Sequence, residues 1–178
     1  MTDDRSVAAP ESIRSWVPDA PISAPLRLHQ TTVPADWVDY NQHMSESCYL
    51  LAFGDNADAF FHYIGIDEQY RADGHSLYTV QTHLHHRREV SEGEILSMTL
   101  RVLDCDTKRV HVFHEMFLGD TDLLVATAEQ MLVHVDSRVG RSAPMPRELA
   151  GCLEAIHRVH AQLAVPGVVG KPMRINHA

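Results

Sequence analysis

The chain has 178 residues, a formal net charge of −9 and a pI near 5.7, enough length for one domain with a proper core and a charge balance ill-suited to nucleic acid, although a local basic patch for a phosphorylated ligand remains compatible with it. It contains no run of about eighteen apolar residues that would span a membrane, and it does not open with the basic start and apolar block of a secretory leader. Cys48, Cys105 and Cys152 are odd in number and scattered, which offers neither a metal spacing nor a disulfide framework and fits a reducing cytoplasm.

Residues 1–24 are rich in Pro, Ala, Ser and Asp without periodicity, and are expected to form a flexible or surface-draped tail. Leu26–Val33 reads as a first strand, and Pro34 and Asp36 turn the chain into Val38-Asp39-Tyr40-Asn41-Gln42-His43-Met44-Ser45. A long helix then follows. Tyr49, Ala52, Phe53, Asn56, Ala57, Phe60 and Ile64 recur at three- and four-residue steps, Ser45 is placed to cap the start, and Gly65 to end it, with Ile66 supplying the apolar contact that often follows. Gly54 in mid-helix costs about 1 kcal/mol relative to alanine, so a close neighbour is expected there. Asp67–Arg71 suggests one more helical turn, broken by Asp73-Gly74.

The period then changes to two. Ser76–Val90, Glu94–Leu103, Arg109–Leu118 and Leu123–Val135 read as four strands joined by short turns, an antiparallel meander. His83 and His85 fall on one face of the first of these and His86 on the other; with no Cys or acidic partner at a metal-binding spacing, no metal site is expected. Asp136–Pro146 connects to a helix over Arg147–Leu163, whose Leu149, Leu153, Ile156, Val159 and Leu163 keep helical spacing. Residues 164–178 read as a C-terminal tail, which leaves residues 25–163 as the domain. The element order calls for an α+β fold in which about five curved antiparallel strands wrap the long helix and a C-terminal helix is added. Open sheet edges favour pairing with a second copy, as a homodimer or homotetramer.

Strand, helix and four strands in this order, together with Asp39-Tyr40-Asn41-Gln42-His43-Met44 followed by Tyr49, resemble the hotdog-fold acyl-CoA thioesterases of the 4-hydroxybenzoyl-CoA thioesterase-like superfamily. That superfamily runs Asp, two variable residues, Gly, His, a small apolar residue and Asn. Here Gln42 stands in place of the Gly, which permits a backbone conformation that glutamine finds costly, and Ser45 stands in place of the Asn. The segments Val33–Asn41, Gly74–Val80 and Glu129–Asp136 are more specifically similar to the betainyl-CoA thioesterase family of bacterial carnitine breakdown. The likeness covers about residues 26–157. It implies hydrolysis of betainyl-CoA to glycine betaine and CoA, with no metal and no bound cofactor beyond the CoA ester itself.

The resemblance aligns Asp39 with the family's catalytic carboxylate, either a general base or a nucleophile; without it, Asp39 reads more readily as an acid capping a turn. Backbone N–H groups of Ser45, Glu46 and Ser47, in the first helical turn, are candidates to hold the oxyanion. His43 is a candidate to orient water or the thioester, or else ties the loop to the sheet. Trp37, Tyr40, Tyr49 and Tyr78, with Asn41, are candidates to bind the acyl group, since a trimethylammonium ion donates no hydrogen bond and is held by aromatic faces; any one of these rings is as well explained as core. Arg87, Arg88, Lys108 and Arg109 are candidates for the CoA phosphates, or a charged edge that discourages aggregation. The remaining alternatives are a thioesterase for another short or aromatic acyl-CoA, and a non-catalytic acyl-CoA sensor on the same fold.

Overall fold

The structure, a computed structural model, describes residues 16–175; the tail expectations for residues 1–15 and 176–178 lie outside the described residues. The order is β1 (Leu26–Thr32), a 3-10 turn (Ala35–Trp37), α1 (Glu46–Tyr63), α2 (Glu68–Ala72), β2 (His75–His86), β3 (Ile95–Cys105), β4 (Arg109–Leu118), β5 (Leu124–Asp136), β6 (Arg141–Ser142) and α3 (Arg147–His160). The expected elements are all present. The 3-10 turn and the two-residue β6, too short to carry a period, are additions. No helix among the described residues is long and apolar enough to cross a membrane.

The sheet runs β1-β3-β4-β5-β2 with every pairing antiparallel, and β6 pairs with β5. Its five long strands form a curled half-barrel. β1 and β2, which flank α1 in the chain, are therefore the two edges, and α1 lies across the concave face. Leu96, Met98, Leu100 and Val102 of β3 are all buried on this face, the first two in the cluster with Phe53 and the last two in the cluster that holds Phe60 and Leu149, Leu153 and Ile156 of α3, as the alternation of that strand requires. From α1 come Tyr49, Ala52, Phe53, Asn56, Ala57, Ala59 and Phe60. Phe53 and Phe60 are fully enclosed, each contributing about 2–3 kcal/mol by burial.

The C-terminal end of α1 is closed as its residues suggest. Gly65 has φ of +89°, its N–H bonds His62 O, and Ile66 N–H bonds Phe61 O at 2.8 Å, the two-bond Schellman closure. Two other local expectations are corrected. Ser45 is the N-cap residue, but its hydroxyl caps no amide. At Gly54, among the described residues and outside the helix's own backbone, no atom stands within 4 Å of where a Cβ would be, so the glycine does not answer a close neighbour there.

β2 ends at His86 rather than Val90 because the N–H groups of Arg87 and Arg88 both turn to Val125 O. α3 ends at His160 rather than Leu163. There the His160 ring takes the N–H of Val102 on Nδ1 and bonds Ser23 O through Nε2, both at 2.9 Å. Residues 16–24 lie on the domain, with Trp16 N–H on Tyr63 O at 2.7 Å. Residues 164–173 run over the outer face of the sheet, tied by Arg101 to Ala164 O and by Gly170 N–H to Glu129 Oε2, each at 3.0 Å. Phe113 and Thr127 of that face are buried there.

Three buried histidines are held as neutral rings. His114, fully buried on β4, accepts from Asn56 Nδ2 of α1 at 2.9 Å. His134 bonds Ala143 O through Nδ1, and the Tyr70 hydroxyl meets its Nε2 at 2.7 Å. His160 is fixed as described. A donor thus faces the bare nitrogen of each ring, and a second proton would meet it. Burial holds all three below the ordinary histidine range, His114 down to about 4. The unfolded chain takes up these protons near pH 6.5 and the folded chain only at lower pH, so stability is full above pH 6.5 and is lost as pH falls. His114 alone accounts for about 3 kcal/mol across its interval. Urea unfolding at pH 7 and pH 4.5 checks this: the midpoint falls sharply at the lower pH, whereas an unchanged midpoint would mean that these rings are not buried neutral.

Candidate active site

The segment from Trp37 to Ser45 is a small closed loop pinned at its base. Val38 and Met44 form an isolated antiparallel bridge. Asp39 N–H bonds His43 O at 3.0 Å, Gln42 N–H bonds Asp39 O at 3.0 Å, and Ser45 N–H bonds Trp37 O at 2.8 Å. Met44 N–H reaches over to Val90 O at 2.7 Å, which ties the loop to the segment following β2. Val38, Met44 and Trp37 pack into the cluster formed by Phe53, Met98 and Met116, so the loop rides on the same core that holds α1.

A loop this tight needs one left-handed residue, and Gln42 supplies it at φ of +66°. This is the position at which the resemblance leads to an expectation of glycine, and the strain foreseen for glutamine is there in the backbone.

Asp39 is half-buried. Its Oδ1 accepts the N–H of Asn41 at 2.7 Å, an Asx turn. Among the described residues Oδ2 has no hydrogen-bond partner and the carboxylate is in no ion pair. One oxygen therefore orients the group and the other is available. His43 contributes its carbonyl to the loop, and its Nε2 lies 3.5 Å from Glu89 Oε2.

At the mouth of α1 the amides are not equivalent. The N–H of Ser45 is committed to Trp37 O, which removes it from the three expected oxyanion donors. The N–H groups of Glu46 and Ser47 have no acceptor among the described residues, and the Ser45 hydroxyl does not take them. They are open, and they carry the positive end of an 18-residue helix.

Beside this mouth is a cleft of about 780 Å³ lined by Met44, Glu46, Tyr49, His86, Arg87, Arg88, Glu89 and Leu123. Tyr49 and His86 meet edge to face, with ring centroids 4.7 Å apart. The Tyr49 hydroxyl donates to Arg88 O at 3.0 Å, which clamps the helix to the end of β2 and leaves the ring as a wall.

The expected aromatic group does not assemble within one chain. Tyr49 lines the cleft, while Trp37 packs against the core. Tyr40 is 91% exposed, at the loop tip beside exposed Asn41. Tyr78 pairs with Val133 at the opposite end of β2 from His86. The basic residues likewise fall into two places. Arg87 and Arg88 sit where Val125 begins β5, and Arg109 pairs with Val133, roughly 25 Å away at the rise of a strand. Arg109 is held there by Asp106 Oδ2 at 2.6 Å, so the four residues do not form one phosphate site. His83 and His85 meet at a tilt on the outer face, with ring centroids 4.4 Å apart, and take no part in the cleft.

Glu89, His86 and Leu123 are cleft residues that sequence reasoning passed over. The first two follow from the fold: His86 is the last inward residue of β2, and Glu89 comes just after the bulge at Arg87 and Arg88.

The family model described as "Thioesterase-like superfamily" matches residues 33–153. A protein named "L-carnitine dehydrogenase/betainyl-CoA thioesterase" from Rhizobium meliloti is 47% identical over 152 residues, covering 84% of this chain and 30% of that protein. A protein named "Betainyl-CoA thioesterase" from Pseudomonas aeruginosa is 40% identical over 151 residues, covering 84% of this chain and 95% of that one. The chain thus spans less than a third of the length of the two-activity relatives and nearly all of the single-activity one. Among solved structures, a putative thioesterase from Pseudomonas putida matches with a TM-score of 0.75 at 32% identity, over 86% of this chain and 98% of that one. A protein from Staphylococcus aureus solved in complex with CoA shares the fold, with a TM-score of 0.79 at 24% identity over 88% and 100%.

The strain at Gln42 is directly measurable. Gln42→Gly is expected to raise stability by roughly 0.5–1 kcal/mol, the left-handed penalty of a side chain less the entropy cost of glycine, read as a higher urea midpoint at unchanged slope. A lower midpoint would mean that the loop does not hold this conformation in solution.

Proposed function

Because this chain belongs to the thioesterase-like superfamily, we propose that it is an acyl-CoA thioesterase and that its substrate is betainyl-CoA, hydrolysed to glycine betaine and CoA. The observation that carries the reading is the pairing of a carboxylate with one unengaged oxygen, Asp39, with two unengaged amides, Glu46 and Ser47, on either side of the same pinned loop. The names of the relatives favour betainyl-CoA over other short or aromatic acyl groups.

The reaction needs three things, none of them a metal or a cofactor: a base, a water and an oxyanion site. The thioester oxygen points to the open amides of Glu46 and Ser47, one such donor being worth about 3 kcal/mol of barrier. Asp39 Oδ2 takes a proton from a water as that water's oxygen bonds to the carbonyl carbon. The tetrahedral adduct then collapses, the C–S bond breaks, and the proton passes to the departing CoA sulfur. The same geometry permits direct attack by the carboxylate with an anhydride that water then opens. In either route the positive end of α1 bears the charge that develops on oxygen. Arg87 and Arg88, on the rim of the cleft, are the pair placed to meet the phosphates of CoA.

The working unit in this reading is a homodimer in the cytoplasm, or a tetramer built from two. β2 is an edge strand whose residues Tyr78–Thr82 are all exposed, with Val80 at 60% and Tyr78 at 53%. An unpaired edge with two exposed apolar side chains calls for a partner strand. Two β2 strands paired antiparallel would lay the Tyr78 end of one beside the His86 end of the other.

Two measurements test the reading. Asp39→Asn is expected to keep the fold and lower kcat for betainyl-CoA by about 100-fold or more, followed by thiol release with Ellman's reagent; full activity would remove Asp39 from the mechanism. Val80→Lys is expected to convert the dimer to monomer in light scattering and to lower activity with it; an active monomer would show that each chain carries a complete site.

A further inference from the structure

Betaine places its permanent positive charge two bonds from the thioester carbonyl carbon. A counter-charge for that cation must therefore lie immediately beside the loop that bears Asp39. The quaternary nitrogen has no hydrogen to donate, so recognition has to come from aromatic faces and from negative charge. Among the described residues the cleft has one phenol ring, Tyr49, with the His86 imidazole edge-on to it, which is too few for a cage. The cleft does carry two carboxylates, Glu46 and Glu89.

The two carboxylates stand in different roles. Glu46 is the first residue of α1, where an acid offsets the positive helix end. Glu89 lies across the cleft on the chain leaving β2, next to Val90, whose carbonyl holds Met44 N–H. Its Oε2 is 3.5 Å from His43 Nε2, and His43 O holds the Asp39 N–H. Glu89 is thus one side chain away from the residue that would act on the carbonyl. Its field also reaches the wall of the cleft: the Tyr49 hydroxyl is pushed above the ordinary tyrosine range by burial, and further by the charge on Glu89. Arg87 and Arg88, at the strand end of the cleft, give it both signs, as a substrate with a cation at one end and phosphates at the other requires.

We infer that Glu89 is the specificity residue for a quaternary-ammonium acyl group, and that its carboxylate, steadied by His43 and backed by the Tyr49 ring, holds the trimethylammonium head beside Asp39. This deepens the proposed function and rests on it: the site is the same, and the addition is what selects a cationic acyl group over a neutral one of the same shape.

The test compares betainyl-CoA with 3,3-dimethylbutanoyl-CoA, in which carbon replaces the nitrogen and the size is kept. For each ester kcat/KM is measured with the wild-type chain and with Glu89→Gln, which preserves shape and hydrogen bonding and removes the charge. The ratio of betainyl-CoA to the neutral ester should fall about tenfold in the variant, mostly through KM, and the wild-type ratio should itself fall as salt is raised because the carboxylate is exposed. Glu89→Asp should recover part of the ratio. A ratio unchanged by Glu89→Gln, with betainyl-CoA still cleaved, would overturn the assignment of Glu89 and leave the thioesterase reading standing. Cleavage of neither ester by the wild-type chain would bring down the thioesterase reading, and this inference with it.

Discussion

The structure turns on the way a short loop is nailed to the start of its longest helix. Ser45 N–H reaches back to Trp37 O, Met44 N–H reaches across to Val90 O, and Val38 pairs with Met44. These bonds do two things at once. They use up the first amide that the helix could have offered and leave the next two open. They also fix the direction in which Asp39 leaves the backbone, because its own N–H and carbonyl are both spent inside the loop. Backbone hydrogen bonds hold the group in place with no further ordering cost at the moment of reaction. Gln42 carries the strain of that closure at φ of +66°, and local strain of this sort persists only where the surroundings over-determine it. Here the surroundings are the apolar side chains of Trp37, Val38 and Met44 sunk into the core around Phe53.

The rest of the fold keeps α1 still. Its far end is shut by Gly65 and Ile66, and its middle is joined to the sheet by Asn56, whose Nδ2 serves both Thr99 O and His114. Such a buried polar link fixes the register of helix on sheet in a way that apolar contacts alone do not, since only one placement satisfies it. Sequence, packing and site are thus one chain of cause: the three- and four-residue spacing buries one side of α1, that burial aims its first turn at the loop, and the loop sets a carboxylate opposite two free amides.

Most of this architecture was legible in the residues. Period-two alternation located Arg109–Leu118 at its observed bounds and Glu94–Leu103 to within a residue or two, because each strand has an inward face that must be apolar. The helix was legible for the same reason, and Gly65 and Ile66 marked its end. Features set by non-local geometry were not legible. The Ser45 hydroxyl suits a cap by type, yet nothing local says that its N–H will be taken by Trp37. Four basic residues looked like one patch, yet the antiparallel hairpins send Arg88 and Arg109 to opposite ends of β5. Glu89 could not be singled out among the 24 acidic residues, because its place depends on a bulge at Arg87 and Arg88 that has no sequence period. The segment 164–173 read as a tail because its glycines and prolines give no period, although its Gly170 amide is bonded to Glu129 on the sheet.

The central claim is that the ester carbonyl lies between Asp39 and the open amides of Glu46 and Ser47. A crystal structure with a betainyl-CoA analogue in which CH2 replaces the sulfur tests it most directly, since the ketone is kept and cannot be hydrolysed. The account predicts the carbonyl oxygen within about 3 Å of one or both of those amides, with the Asp39 carboxylate on the face of the carbonyl carbon. A ketone seated elsewhere, with both amides still turned to solvent, would contradict it.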